Sequence, residues 1–148
     1  MMKGIYVVLA ELDEETSIQV RAKRKYRLKK GYYLYIGSAM SSLESRIRRH
    51  LSSEKKCHWH IDYLLDRARI QNIIYAVTEE RVECHLADLL AQRLSAVEGF
   101  GCSDCRCRSH LFFCSESQAL ESLAVATFKD LNLVPFLTIT TGSSSQKE

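Results

Sequence analysis

Gly31-Tyr-Tyr-Leu-Tyr-Ile-Gly-Ser38, running on into Leu43-Glu-Ser-Arg-Ile-Arg-Arg-His-Leu51, decides how this chain is read. The first stretch is an aromatic-rich strand over residues 31–37, with Gly37 and Ser38 closing it where the backbone turns. Tyr33 and Tyr35 are two apart, so in a strand they share a face. The second stretch is a basic helix. Arg46 and His50 are four apart and share one of its faces. A row of phenols beside a row of Arg and His fills a core poorly. It is suited to holding a phosphodiester.

Working outward, residues 4–12 (GIYVVLAEL) are β-branched and apolar and read as a central strand. Residues 13–15 turn, and residues 16–20 alternate and pair back as a hairpin. The basic run 21–30 follows as a loop or a continued edge strand, where Lys and Arg deter unwanted pairing. Ser41-Ser-Leu-Glu44 has the capping-box pattern, with Ser41 as cap and Glu44 reaching back. Leu43, Ile47 and Leu51 supply the buried stripe of the helix it opens. A strand over 70–77 leads to a helix at about 80–97, capped by Thr78, with Glu83 at the margin of its buried face. After an irregular loop over 99–110 come a short apolar strand (LFF) and a helix from about Ser115 to Lys129. No linker or repeat divides the chain. A single domain over 1–137 and a disordered tail over 138–148 are expected.

At 148 residues the chain is long enough to bury a real core. The formal charge of +3 is mild, but its distribution is not even. Residues 21–30 hold seven basic side chains and no acid, while residues 11–15 are acidic. No apolar run approaches the roughly 20 residues of a membrane span. The N-terminus turns acidic too soon for a signal peptide. The expected location is the cytosol, where the six cysteines stay mostly reduced.

Two further clusters carry chemistry. His58, His60 and Asp62 alternate, so an extended segment would turn them to one side as metal ligands or site-lining groups. Trp59 and Ile61, on the other side, also suit a plain amphipathic strand. Cys102-x-x-Cys105-x-Cys107-x-x-His110, with Cys84 or Cys57 available from elsewhere, invites zinc. The spacing is tighter than the two separated pairs of common structural zinc sites, and a reduced, partly buried cysteine cluster is the plainer reading.

GIY at 4–6 and YIG at 35–37, then S-x-x-L-x-x-R-x-x-x-H on a helix and a Glu on a later one, resemble the GIY-YIG nuclease superfamily. HWHIDYLL, ECHLADLL and GFGCSDCRCRSHLFF together resemble one uncharacterised branch of it, found alone or fused to endonuclease III-type glycosylases. The resemblance implies an α/β (α+β) domain with a small, mainly antiparallel sheet flanked by helices. It implies catalytic roles for Tyr6, Tyr35, Arg46 and His50, and puts the metal-binding glutamate on Glu83, with Glu79 and Glu80 close by. The gap between Tyr6 and Tyr35 is longer than the group's short hairpin and holds an extra strand and the basic run.

The expected function is a metal-dependent endonuclease acting on DNA, in a repair setting, with a base-excision glycosylase or another repair protein as a further partner. Glu83 would hold Mg²⁺ or Mn²⁺, and Arg46 offers a planar fork matched to phosphate. A neighbouring cation would lower the pKa of Tyr6 or Tyr35 so that it could orient or deprotonate water. Tyr33, His58 and His60 are site-lining candidates. Arg24, Lys25, Lys29 and Arg49 are candidates for DNA phosphates, contacts that add affinity without sequence choice. Two rivals read the same residues differently: a non-catalytic nucleic-acid-binding module of this fold, and a zinc- or thiol-dependent regulatory protein built on the Cys/His loop.

Overall fold

A computed structural model of the chain describes residues 2–20, 24–52, 59–101 and 107–139. The strands are β1 (Gly4–Leu12), β2 (Thr16–Val20), β3 (Arg24–Leu28), β4 (Gly31–Ala39), β5 (Arg69–Val77), β6 (Ser95–Ala96), β7 (Leu111–Cys114) and β8 (Phe136–Ile139). The helices are α1 (Leu43–Leu51), α2 (His60–Leu65), α3 (Glu83–Ala91) and α4 (Ser117–Asp130). Six strands form one sheet in the order β6-β7-β4-β1-β5-β8, with antiparallel pairing throughout. The fold is the expected α+β architecture.

Burial of β1 explains why it lies inside the sheet. Every residue from Gly4 to Ala10 is buried, so both faces are covered and both edges paired. One face sends Ile5, Val7 and Leu9 against Leu34, Ile36 and Ile74, and α3 and α4 close this core with Leu86, Leu90, Leu120 and Phe128. Spacings of four and eight put those leucines and the phenylalanine on one stripe of each helix. The other face sends Tyr6 and Val8 against Leu43 and Ile47 of α1. A third cluster packs Leu12 and Tyr33 under β2, β3, α2 and Phe100. Fully burying one such aliphatic or aromatic side chain stabilises by about 1.5–3 kcal/mol.

Several local expectations are corrected. β2 pairs with β3, not back onto β1, whose two edges are taken by nine-residue strands. The five-residue β2 turns Ile18 and Val20 inward beside Tyr26 and Leu28 of β3, so the hairpin lies over the third cluster as a lid. Ser42 caps α1, accepting from Ser45 N at 3.2 Å, in place of Ser41. Leu51 is exposed, and His50 completes the buried stripe after Leu43 and Ile47. Thr78 Oγ1 accepts from Glu80 N in a turn, so α3 starts only at Glu83. That helix stops at Ala91, because Ser95 and Ala96 pair with β7. Glu116 stands at the N-cap of α4 in place of Ser115.

Residues 60–65 are helical where an extended segment was expected, and Asp62 accepts from Trp59 N at the helix start. β8 pairs Phe136–Ile139 with β5, so regular structure runs two residues past the boundary placed at 137. Among the described residues no helix is long and apolar enough to cross a membrane.

Candidate active site

On the α1 side of the sheet, five separate elements meet at one open cleft of about 460 Å³. β1 contributes Tyr6, β4 contributes Tyr35, Gly37 and Ser38, α1 contributes Arg46, and α3 contributes Glu83 and Cys84. Trp59 and His60 at the start of α2, Arg81 before α3, and Gly101 and His110 before β7 complete the wall.

Local pairing explains the position of Tyr6. It faces Gly37 across the β1–β4 ladder. A Cβ on Gly37 would stand 2.4 Å from both Tyr6 Cζ and Oη. Glycine here supplies space for the ring, and it lies inside a strand that runs on to Ala39, not at the turn expected from the sequence. The buried imidazole of His50 meets the Tyr6 hydroxyl at 2.7 Å through Nε2. His50, expected among the catalytic groups, therefore sits behind Tyr6 and outside the cleft lining, where its imidazole holds the Tyr6 hydroxyl.

Arg46 is held on two sides. Nη1 donates to Ser38 O at 2.9 Å, and the guanidinium lies 4.5 Å from the centre of the Trp59 ring. Arg49 lies 4.2 Å from the same ring centre and forms a two-pronged ion pair with buried Asp62, at 2.9 and 3.0 Å. Asp62 thus fixes Arg49, Arg49 supports Trp59, and Trp59 supports the guanidinium of Arg46. Both Asp62 and Arg49 serve this scaffold, which corrects the expectation that Asp62 aligns with His60 on one face. Residues two apart on a helix point away from each other.

The phenols do not become acidic. Burial pushes Tyr6 up to about 12, outweighing Arg46, which pulls it down. Burial also pushes Tyr35 well above its ordinary value, and the negative charge of Glu83 adds to that. The expected lowering is reversed because removing a phenolate from water costs more than one nearby guanidinium returns. Both side chains are protonated at neutral pH. Burial lowers the pKa of His110 below the usual histidine value, against an opposing pull from Glu83.

This reversal has a consequence for stability. Tyr6 titrates near 10 in an unfolded chain and at about 12 here. Its contribution is complete below pH 10 and is lost as the pH rises toward 12, because the unfolded chain ionises first. A gap of this size is worth about 3 kcal/mol. Chemical denaturation at stepped pH is expected to show stability falling above pH 10, with a shallower fall for Tyr6→Phe. An identical fall in the variant would count against the assignment.

Of the other expected site residues, His60 and His110 reach the cleft. Tyr33 does not. It shares the face of Tyr35, but its ring packs edge-on to Phe113 and its hydroxyl donates to Lys29 O. Arg24 lies over Tyr26 and Lys29 over Phe113, while Lys25 is exposed. His58, Cys102 and Cys105 lie outside the described residues. The cleft also includes groups the sequence did not single out as lining it, Trp59 and Arg81. No periodic signal marks either one. Cys84 and His110 line the cleft, and with Cys107 they bring their ligand atoms within 4.8 Å of one another.

The chain belongs to the family described as Domain of unknown function DUF123, whose profile matches residues 5–133. No curated protein and no solved structure matches the chain.

Proposed function

We propose that the protein is a metal-dependent endonuclease of the GIY-YIG type that hydrolyses DNA phosphodiester bonds. One observation carries the reading: Tyr6, Tyr35, Arg46 and Glu83 come from four elements and line one cleft. Packing alone gives no reason to gather two phenols, a guanidinium and a carboxylate around open space.

Glu83 fits a divalent ion. It opens α3, where the helix dipole favours a carboxylate, and it faces a cleft with room for an ion that keeps several waters. When bound, Mg²⁺ or Mn²⁺ supplies a Lewis acid for the phosphate and a water of lowered pKa. Arg46 presents fixed donors to the phosphoryl oxygens, where charge grows in the transition state. Tyr6 and Tyr35, as neutral phenols, orient the attacking water or a phosphate oxygen by hydrogen bonding. His50 keeps the Tyr6 hydroxyl in place. Arg81, on the same wall, adds positive charge for the flanking backbone. The same reading places the protein in DNA repair, beside base-excision glycosylases of the endonuclease III type.

The test is incubation with supercoiled plasmid, nicked and single-stranded DNA, and structured RNA, each with Mg²⁺, Mn²⁺ or EDTA. Metal-dependent cleavage of at least one DNA substrate is expected. Binding that weakens with salt but yields no product on any substrate would instead identify a non-catalytic nucleic-acid-binding module.

A further inference from the structure

We propose that Cys84, Cys107 and His110 bind one zinc ion beside the cleft, tying the start of α3 to the segment that enters β7. The inference does not depend on the phosphodiester reading. Its ground is that two thiols and an imidazole, from positions up to 26 residues apart (110 − 84), converge within 4.8 Å. Zinc bonds of about 2.0–2.3 Å in a tetrahedron put the ligand atoms under about 4 Å apart. Modest closing of these side chains reaches that geometry.

The donor set selects the metal. Two thiolates and an imidazole suit a borderline-soft ion and are poor ligands for Mg²⁺ or Ca²⁺. This soft site is therefore chemically distinct from the carboxylate of neighbouring Glu83. Of the zinc ligands the sequence offered, Cys107 and His110 are joined by Cys84, the second residue of α3.

The backbone is prepared for such a clamp. His110 N donates to Phe100 O at 2.9 Å, and its carbonyl accepts from Ile36 N of β4 at 2.9 Å. The adjacent Ser109 hydroxyl is buried and exchanges hydrogen bonds with Leu111. One side of the cluster is thus anchored to the sheet. α3 has no side-chain cap at its N-terminus. A metal bond to Cys84 would hold that end in place, and with it Glu83 one residue earlier. Binding removes the thiol protons from Cys84 and Cys107, which pass to buffer.

The experiment measures metal directly on the whole chain. Protein purified without chelator is analysed for zinc, stripped, and titrated with Zn²⁺ and Co²⁺. The expected result is one ion per chain, proton release on uptake, and a thiolate-to-cobalt charge-transfer band. Cys84→Ser and Cys107→Ser should each lose the stoichiometric ion. Cys84→His keeps a ligand, so it should retain cobalt with a weaker charge-transfer band, which separates loss of a ligand from misfolding. Stripping should lower the melting temperature of the native protein but not that of Cys84→Ser. Protein that takes up neither ion, or a Cys84→Ser, Cys107→Ser double variant that binds as the native chain does, would overturn the proposal. DNA cleavage enters none of these readouts, so the two readings stand or fall separately.

Discussion

Arg46→Ala is expected to lower the rate of metal-dependent DNA cleavage by about 10²–10³-fold while the protein stays folded, the usual loss for removing one preorganised donor at developing charge. Arg46 is only partly buried, and its contacts with the fold are a hydrogen bond to Ser38 O, its place over the Trp59 ring and its approach to the Tyr6 hydroxyl. The Ser38 carbonyl lies at the open cleft, where water can replace the guanidinium, so the stability cost is about 1 kcal/mol. Arg46→Lys keeps the charge but loses the planar fork and the stacked geometry, and should recover only part of the rate. Single-turnover cleavage rates, with thermal melts on the same samples, separate the two effects. An alanine variant that cleaves at the native rate would remove Arg46 from the mechanism.

Asp62→Ala should be strongly destabilising, costing about 3–5 kcal/mol. The Asp62 side chain is fully buried, with 0% exposure, and accepts from both terminal nitrogens of Arg49 and from Trp59 N. Removing it leaves a half-buried guanidinium without its carboxylate and strips the first turn of α2 of its cap. The exposed pair Arg27–Glu15 gives the contrast, since both side chains stand more than half in solvent. Breaking that pair should change stability by less than about 1 kcal/mol. Urea denaturation of the native chain, Asp62→Ala and Glu15→Ala measures both. Near-equal midpoints for the two variants would refute the ranking. The Asp62 variant should also cleave more slowly than its residual folded fraction explains, because Trp59 then supports Arg46 less firmly.

Much of this was legible beforehand, and the reasons lie in periodicity. Strand alternation put Tyr33 and Tyr35 on one face, and the structure agrees. Alternation says nothing about what covers each position, however: Phe113 packs edge-on to Tyr33, while Tyr35 lines the cleft. Helix spacing placed His50 beside Arg46, but a stripe counted from hydrophobic residues assigned the buried place to Leu51. The hydrogen bond to Tyr6, formed by a residue 44 positions away, puts the imidazole inside instead. His58-x-His60-x-Asp62 has the period of a strand, yet Asp62 begins a helix by capping Trp59 N and pairing with Arg49. That partner lies outside the local window. The exclusion of β2 from β1 was equally nonlocal, decided by β4 and β5 occupying the edges of β1, and β2 pairs locally with β3 instead. Gly37 was legible as a needed glycine, but its reason, room for the Tyr6 ring, required the register.

The convergence of Glu83 with the two phenols and Arg46 is the feature on which the functional reading depends, and Glu83→Gln probes it with the smallest change in shape. The most direct measurement is nicking of supercoiled plasmid by the native chain and by Glu83→Gln in Mg²⁺, at equal concentration and with matching melting temperatures. The native chain is expected to nick the plasmid and to stop on addition of EDTA, with the variant slower by at least about 10²-fold through loss of the ion's carboxylate ligand. A variant that nicks as fast as the native chain, or a native chain that leaves the plasmid and every other DNA substrate intact in both Mg²⁺ and Mn²⁺, would contradict the assignment.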